Sequence, residues 1–242
     1  MEGFIDIHNH ILPGLDDGVQ SEDQVFSMLK LAVSQGITGI IATPHFRPDR
    51  FVRKRKFYEE ALKQVREKAR SAFPGFQIYA GNEIYFYRDV IEELRRGTCH
   101  TMAGTDYVLT EFSTAADYSY IKSAVDLLTC EGYRPIIAHV ERYQTLEKDM
   151  ERVWSLIDRG ALMQVNTQAV AEAGGLFKKS FVKNLLKEEA VHFVATDAHD
   201  VKKRAPLLEG CMKNLNKWCS ESYIRQITGE NQRRLLKNQY IE

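Results

Sequence analysis

Two short patterns place ligand-type side chains two residues apart. His8 and His10 follow one apolar run of the chain, and Asp197 and His199 follow another. Because residues i and i+2 of an extended segment point to the same side, each pair can hold one metal ion. A lone His-x-His pattern is common by chance, whereas two such pairs in one chain favour a metal site.

Other apolar runs end in a similar way. A histidine or a carboxylate follows closely after each of four further runs: His45, Glu83, Glu111 and His139. Asp17, in the loop after the first pair, adds one more carboxylate. Any one of these histidines, taken singly, is more simply a hydrogen-bonded residue near the core. The whole set is not explained in that way, because buried unpaired carboxylates are costly and metal ions remove that cost.

The residue types of this set indicate its chemistry. Imidazole and carboxylate ligands without thiolate suit Mn, Zn, Fe or Mg. Five neutral imidazoles and four carboxylates carry a charge of −4, which two divalent ions bring to 0 and three bring to +2. A centre of this kind holds an anion, and phosphate fits best. The expected reaction is attack of a metal-activated water on phosphorus while another ion stabilises the leaving oxygen.

Three arginines each follow a histidine of the set by two to five residues: Arg47, Arg142 and Arg204. A guanidinium group can hold two phosphate oxygens at once, so we expect these arginines to bind substrate. The alternative for each of them is a surface salt bridge, and that alternative carries the most weight for Arg47.

The apolar runs and the segments between them predict the fold. The runs are short and rich in β-branched residues, as strands are: Phe4–Ile7, Gly39–Ala42, Gln77–Ala80, Tyr107–Leu109, Pro135–Ala138, Leu162–Val165 and His192–Ala195. The longer segments have helical periodicity: Asp23–Gln35, Lys54–Ala72, Tyr118–Glu131, Glu147–Arg159 and Lys178–Glu189. This alternation predicts an α/β fold whose seven parallel strands form a closed or nearly closed barrel. Chemistry in such a barrel lies at the C-terminal ends of the strands, and the tail after Gly210 is expected to pack outside as helices.

Length and composition narrow the class further. A chain of 242 residues is ordinary for one α/β barrel, so we predict a single domain over residues 1–242. The 33 basic and 33 acidic side chains cancel, which argues against nucleic acid or an anionic membrane as the main partner. There is neither a window of ~18 apolar residues nor a signal-peptide pattern, so we expect a cytoplasmic protein. The four cysteines lack CxxC spacing and are expected to be reduced thiols.

The sequence also resembles a known superfamily. The segment Ile5–Gly18, which reads IDIHNHILPGLDDG, is similar to the opening motif of the polymerase-and-histidinol-phosphatase (PHP) superfamily. Its continuation, HILPGLDDG, resembles more narrowly the bacterial manganese-dependent protein-tyrosine phosphatases found beside capsule and exopolysaccharide genes. Further matches follow in the family's order and cover nearly the whole chain: ATPH at 42–45, GNEI at 81–84, EF at 111–112, AHVER at 138–142 and TDAHDVKKR at 196–204.

This resemblance implies a fold and a set of site residues. The fold would be a distorted, TIM-like seven-stranded barrel of the PHP type with a trinuclear metal centre. The implied metal ligands are nine in number: His8, His10, Asp17, His45, Glu83, Glu111, His139, Asp197 and His199. Arg142 and Arg204 would bind the phosphate. We expect these two arginines to act in the reaction together with Asp17, His45 and His199.

The resemblance also implies a cofactor and a substrate. The centre would hold two or three divalent ions, with Mn²⁺ favoured over Fe, Zn or Mg. The substrate would be phosphotyrosines on the tail of a bacterial tyrosine kinase that controls polysaccharide export. Three positions depart from the family's pattern, namely Asn9, Val140 and Asp200. None of them is an implied ligand, so the departures bear on substrate preference and not on metal binding.

Several alternatives stay open at this level. The same superfamily contains nucleases and small-molecule phosphatases such as histidinol-phosphate phosphatase. A non-enzymatic protein could use the metals structurally, although structural sites are normally closed and four-coordinate. Cys219 and Arg225 match the CxxxxxR spacing of cysteine phosphatases, but the stretch has no glycine and resembles a charged helix.

Two other features have less definite readings. The basic and aromatic segment Phe46–Tyr58 could form a rim that recognises a phosphorylated acidic tail, or could be a solvated loop that enters a helix. His192 lies inside a predicted strand and is expected to be a core histidine or a support for the metal ligands. His100 also lies outside the set.

Overall fold

The computed structural model describes residues 3–51, 55–147, 149–173 and 180–241. Within these ranges the chain forms nine strands: β1 (Phe4–Asn9), β2 (Ile37–Ala42), β3 (His45–Phe46), β4 (Gln77–Ala80), β5 (Glu83–Tyr85), β6 (Tyr107–Glu111), β7 (Arg134–Ile137), β8 (Leu162–Asn166) and β9 (Phe193–Ala195). Every predicted run overlaps one of these strands, while β3 and β5 are two short strands that the apolar pattern did not reveal.

All pairings between these strands are parallel, in two sheets. One sheet has the order β1-β2-β4, and the other has the order β3-β5-β6-β7-β8-β9. Thr43 and Pro44 separate β2 from β3, and Gly81 and Asn82 separate β4 from β5. The predicted α/β class with parallel strands is therefore confirmed.

The described residues contain ten α-helices: α1 (Glu22–Ser34), α2 (Arg55–Ala72), α3 (Val90–Arg96), α4 (Tyr118–Cys130), α5 (Met150–Ile157), α6 (Thr167–Glu172), α7 (Ser180–Lys187), α8 (Glu209–Trp218), α9 (Glu221–Arg225) and α10 (Asn231–Leu236). The predicted start of the fourth helix at Glu147 is wrong. Asp149 caps α5 instead, because its carboxylate accepts a hydrogen bond from the Arg152 N–H at 3.1 Å. Lys54, Lys148, Lys178 and Lys179 of the predicted helices lie outside the described residues. None of the helices in the described ranges is long and apolar enough to cross a membrane.

The C-terminal tail has a larger role than outer packing. Leu235 and Ile241 are buried in one cluster with strand residues such as Ile7 and Phe193. The Tyr107 hydroxyl at the start of β6 donates a hydrogen bond to the Gln239 carbonyl at 2.6 Å. The tail therefore covers the N-terminal ends of the strands. It forms helices, as predicted, but Leu235 and Ile241 pack into the core and not outside it. Its apolar side chains fill the space between those strand ends.

Candidate metal centre

The nine predicted metal ligands meet in one place. His8 lies on β1, His45 begins β3, Glu83 begins β5 and Glu111 ends β6, whereas the other five ligands lie in the segments that follow the strands. Parallel strands bring their C-terminal ends to the same edge, which explains why residues up to 191 positions apart converge (His8 and His199). Eight of the side chains form three overlapping groups around this edge, and His139 contacts two members of these groups.

The inner group consists of His8, His10, Glu83 and Asp197, all fully buried or nearly so. The two Nε2 atoms of the histidines are 3.3 Å apart. Each Nε2 lies 3.2 or 3.3 Å from Glu83 Oε2 and 3.4 Å from Asp197 Oδ1. Four atoms with this spacing fit around one ion at ligand distances of about 2 Å.

Hydrogen bonding behind His10 shows which of its nitrogens faces the group. Its Nδ1 lies 2.7 Å from Asp16 Oδ2, and a carboxylate oxygen only accepts, so Nδ1 carries the proton. Nε2 of a neutral His10 therefore presents a lone pair to Glu83 and Asp197. The facing oxygens, Glu83 Oε2 and Asp197 Oδ1, have no hydrogen-bond partner. Buried lone pairs that converge without a donor are stabilised by a cation, so the residues fit a metal ion.

The middle group consists of His45, Glu83 and Glu111. His45 Nδ1 lies 3.0 Å from Glu83 Oε2 and 3.0 Å from Glu111 Oε1. His139 joins from the other side, with its Nε2 2.8 Å from Glu83 Oε1 and 3.7 Å from Glu111 Oε2. Glu83 thus belongs to the inner and the middle group and connects them.

The outer group consists of His10, Asp17, His45 and His199. Asp17 Oδ1 lies 3.4 Å from His45 Nε2 and 3.6 Å from His199 Nε2, and its side chain is 49% exposed. Burial and the adjacent His10 lower the pKa of His199 to about 2, so its ring is neutral and available as a ligand at neutral pH. Through Asp17, and to a smaller extent through His45, this group reaches solvent.

Burial and neighbouring charges have opposite effects on the pKa values of the other buried ligands. Burial disfavours the charged form of His10, but Asp16, Asp197 and Glu83 together outweigh it and raise the pKa of His10 well above the ordinary histidine value. Burial also opposes charge on His45, yet Glu83 and Glu111 raise the pKa of His45 to about 10. The pKa of Glu83 is lowered well below its usual range, despite burial, by the neighbouring imidazoles. Protons on the imidazoles balance the buried carboxylates in the metal-free chain, and divalent ions would replace these protons.

Two ligands have an unusual backbone conformation. His139 has a φ of 35° and Asp197 has a φ of 53°, both in the left-handed region that favours glycine. Such residues cost on the order of 1–3 kcal/mol each and persist where the surroundings fix them. The Asp197 N–H donates to the His8 carbonyl at 2.8 Å, which ties the segment after β9 to β1.

Two of the three predicted arginines reach the inner group. Arg142 and Arg204 both donate from Nη2 to Asp197 Oδ2, at 2.8 and 2.6 Å. Arg47 instead donates from Nε to Asp49 at 2.8 Å, and its guanidinium lies 4.1 Å from the ring centroid of Tyr85. The first two arginines therefore lie at the centre, whereas Arg47 lies beside it on the segment after β3.

The geometry agrees with what comparison with known proteins shows. The family described as capsular polysaccharide synthesis, CpsB/CapC, matches residues 4–237. The chain belongs to the CpsB/CapC family. The predicted membership of the capsule-associated phosphatase group is thereby confirmed.

Individual CpsB/CapC relatives match over almost their whole length. Tyrosine-protein phosphatase CpsB of Streptococcus agalactiae serotype III (strain NEM316) is 32% identical over 244 residues, covering 98% of this chain and 100% of the relative. Tyrosine-protein phosphatase YwqE of Bacillus subtilis (strain 168) is 32% identical, covering 98% and 93%. A solved structure from work on YwqE and on CpsB of Streptococcus pneumoniae, described as unique metal-dependent tyrosine phosphatases, has a TM-score of 0.89 at 32% identity and covers 98% of this chain and 96% of its own.

Three residues behind the ligands were not predicted from the sequence of this CpsB/CapC member. Asp16 holds His10 and also accepts from the His45 N–H at 2.8 Å. Gln164 and Asn166 contact the inner group from β8. The sequence does contain a pattern that could have identified Gln164 and Asn166, because these polar residues at positions i and i+2 interrupt an otherwise apolar strand. Asp16 lies beside the predicted ligand Asp17, and the sequence alone does not distinguish two adjacent aspartates.

The remaining histidines lie away from the groups. His192 precedes β9 instead of lying in a strand, and its Nδ1 accepts from the Met163 N–H at 3.1 Å. It is a buried core histidine, with a pKa lowered to about 4 by burial. The ring of His100 stacks on Tyr58, with centroids 4.2 Å apart.

The cysteine alternative finds no support in the geometry. Cys219 is only partly exposed, and burial raises the pKa of its thiol to about 11. Arg225 lies on α9 and donates to Glu221 at 2.8 Å. The stretch is a capped helix and not a loop that wraps a phosphate, so a thiolate nucleophile is not expected there.

Proposed function

We propose that this chain is a metal-dependent protein-tyrosine phosphatase. The observation that carries the proposal is the convergence of eight imidazole and carboxylate side chains, joined by His139 through Glu83, in a chain of the CpsB/CapC family. Relatives across the whole length are named tyrosine-protein phosphatases. A site that is only partly enclosed suits a phosphorylated side chain carried on a protein better than it suits a small metabolite, which needs a closed pocket.

The chain's own residues have distinct roles in this proposal. His8, His10, Glu83 and Asp197 would hold one ion, while His45, Glu111, His139, Asp17 and His199 would complete positions for one or two more. Bound divalent ions supply an activated water and stabilise the leaving oxygen. We propose Mn²⁺ as the ion, since neutral imidazole and carboxylate ligands without thiolate are compatible with it.

Substrate binding would fall to the two arginines of the centre. The Arg142 and Arg204 side chains are 37% and 33% exposed while each holds Asp197, so they border both the inner group and solvent. Guanidinium groups in this position would orient a phosphate against the ligands. Asp17, His45 and His199 lie on the solvent side, where the phosphate would enter. Arg47 stays a proposed contact for the remainder of the substrate.

The fold is proposed to be one distorted barrel in a single domain over residues 1–242. If the interrupted pairs β2/β3 and β4/β5 are each counted as one strand, the nine strands become seven. Asn9 at the end of β1 pairs with Ala198 beyond β9, which supports closure of the ring. The likeness to the phosphatase structure at a TM-score of 0.89 supports the same arrangement.

We further propose that the substrate is the tyrosine-phosphorylated tail of a kinase that controls polysaccharide export, in the cytoplasm. The support is the family itself, described by capsular polysaccharide synthesis. The test is phosphate release from a peptide with clustered phosphotyrosines, beside histidinol phosphate and single-stranded DNA, with Mn²⁺ and with excess chelator. We expect Mn²⁺-dependent turnover of the peptide and little turnover of the other two. Preference for histidinol phosphate would retain the metal chemistry but overturn the substrate.

The segment Phe46–Tyr58 is proposed as a rim that contacts the substrate tail. The ring of Phe51 stacks on His45, with centroids 5.5 Å apart, and the Arg50 guanidinium lies 4.8 Å from the Phe51 centroid. Val52, Arg53 and Lys54 lie outside the described residues. Replacing Arg50, Arg53 and Arg55 with alanine should raise KM for the phosphopeptide and leave KM for p-nitrophenyl phosphate unchanged. Equal changes in KM for both substrates would contradict a role of this segment in substrate binding.

A further inference from the structure

Two amide side chains lie directly behind the inner group. Gln164 and Asn166 are 0% and 5% exposed and occupy positions i and i+2 of β8, on the same side of the strand. Gln164 Oε1 lies 2.8 Å from the His139 backbone nitrogen and 3.1 Å from His8 Nδ1. Gln164 Nε2 lies 2.9 Å from Asn166 Oδ1, and Asn166 Nδ2 lies 2.9 Å from Asp197 Oδ2. One chain of hydrogen bonds thus joins three ligands.

The orientation of both amides is fixed from each end of this chain. The His139 backbone N–H can only donate, so the Gln164 atom that faces it must be the oxygen. The Asp197 carboxylate can only accept, so the Asn166 atom that faces it must be the nitrogen. The bond between the two amides, from Gln164 Nε2 to Asn166 Oδ1, is compatible with both requirements. Reversal of either amide would leave two acceptors or two donors in contact.

This orientation determines the state of His8. Because Gln164 Oε1 is an acceptor, His8 Nδ1 must donate to it, and a neutral His8 then presents an unprotonated Nε2 to the inner group. The same oxygen holds the His139 N–H and so supports the left-handed conformation of that ligand, whose φ is 35°. Gln164 Oε1 therefore helps to orient both the His8 and the His139 side chains.

The other end of the chain determines which Asp197 oxygen is available. Asn166 donates to Oδ2, which also accepts from Arg142 and Arg204. With Oδ2 occupied by three donors, Oδ1 is the oxygen that faces His8 and His10, and it has no hydrogen-bond partner. The amide thus helps to hold the carboxylate in the rotamer that the inner group requires.

We infer that Gln164 and Asn166 are positioning residues that set the His8 ring and the Asp197 carboxylate for one ion of the centre. The inference rests on the part of the proposed function that assigns metal ions to the inner group. Partners of this kind typically change metal affinity about 10–100-fold when removed. A role in filling the core alone would instead leave metal affinity unchanged.

The experiment measures Mn²⁺ binding to the metal-free full-length chain by titration calorimetry. The variants are Gln164→Met, which keeps the length of the side chain without the amide, and Asn166→Ala at the end of the strand. Gln232→Met is the matched control, because Gln232 is also fully buried and donates to a backbone carbonyl at 2.8 Å, but lies near the C-terminus on α10. Circular dichroism and thermal melting check that each variant folds.

We expect Gln164→Met and Asn166→Ala each to weaken the binding of one Mn²⁺ per chain about 10–100-fold, with Gln232→Met unchanged. The double variant should lose less than the product of the two single losses, because both amides act through one chain of hydrogen bonds. If folded Gln164→Met and Asn166→Ala bind Mn²⁺ like the unsubstituted chain, the inference is overturned and the proposed function stands. If the unsubstituted chain binds no Mn²⁺, the proposed function and the inference both fall. Should Gln164→Met not fold, Asn166→Ala alone decides between these outcomes.

Discussion

The inner group and Asp17 of the outer group use similar ligand types in opposite environments. His8, His10 and Glu83 have side chains that are 0–1% exposed, whereas the Asp17 side chain is 49% exposed. The contacts within the inner group are 3.2–3.4 Å, whereas Asp17 lies 3.4 and 3.6 Å from its histidines. The inner group also has hydrogen-bond partners behind it, from Asp16 and from β8. We therefore expect the inner group to anchor metal, and the exposed part of the outer group to adjust to substrate.

The largest effect is expected from Asp197→Asn in the inner group. The amide keeps the shape and tolerates the positive φ, but removes an anionic ligand that Arg142 and Arg204 also hold. We expect phosphopeptide turnover to fall by at least about 10³-fold, the equivalent of several kcal/mol of lost metal stabilisation. The measurement is kcat at saturating Mn²⁺, with circular dichroism as the check on folding. Turnover near that of the unsubstituted chain would remove Asp197 from the centre.

In the outer group, Asp17→Asn should have a smaller effect. Its carboxylate is half exposed, so its loss leaves the buried ligands in place and affects only the solvent side. We expect about a 10²-fold loss of kcat and one fewer Mn²⁺ per chain, measured by elemental analysis after gel filtration. A loss of all bound metal would contradict the division into an anchoring and an adjustable group.

The sequence could predict some features of this centre and not others. The convergence of His8, Glu83 and Asp197 was predictable, because parallel strands must bring their C-terminal ends to one edge. The contacts of Gln164 were not, since a buried amide acquires partners only when distant strands meet. The strands β3 and β5 are too short, at two and three residues, to show a periodic pattern.

Contacts between ionisable side chains were the least predictable feature of the structure. Spacing placed Arg142 and Arg204 near the centre but could not show that both donate to the same Asp197 oxygen. The boundary at Asp149 was missed because a capping aspartate and a surface aspartate look alike in sequence. The C-terminal tail was misplaced for a related reason, since Leu235 and Ile241 fit an outer helix face as well as a buried one.

Arg142→Ala should affect substrate more than metal. Arg204 still holds Asp197 Oδ2 in this variant, so the inner group keeps a cationic partner. We expect KM for the phosphopeptide to rise about 10–30-fold, which corresponds to one lost charge-assisted hydrogen bond, with little change in Mn²⁺ affinity. Arg159→Ala is the matched control, because Arg159 is 35% exposed and pairs with Asp126 at 2.7 Å. An unchanged KM would exclude Arg142 from phosphate binding.

Mn²⁺ binding should also depend on pH, because two histidines of the outer group differ in protonation. The pKa of His45 is raised to about 10 in the metal-free chain, so the ring is protonated at neutral pH and must lose its proton to bind metal. His199, with a pKa lowered to about 2, needs no such loss. Mn²⁺ affinity should therefore rise with pH between about 6 and 8, by about tenfold per unit for each proton released. Calorimetry in buffers of different ionisation enthalpy counts these protons, and an affinity independent of pH would contradict the assignment of His45.

The most direct test of the metal centre is a stepwise titration of Mn²⁺ into the metal-free chain, with bound metal and phosphotyrosine-peptide turnover measured on the same samples. We expect two or three Mn²⁺ to bind per chain and turnover to be absent before the second ion binds. Turnover in the metal-free chain, or saturation at a single ion with full activity, would contradict this expectation.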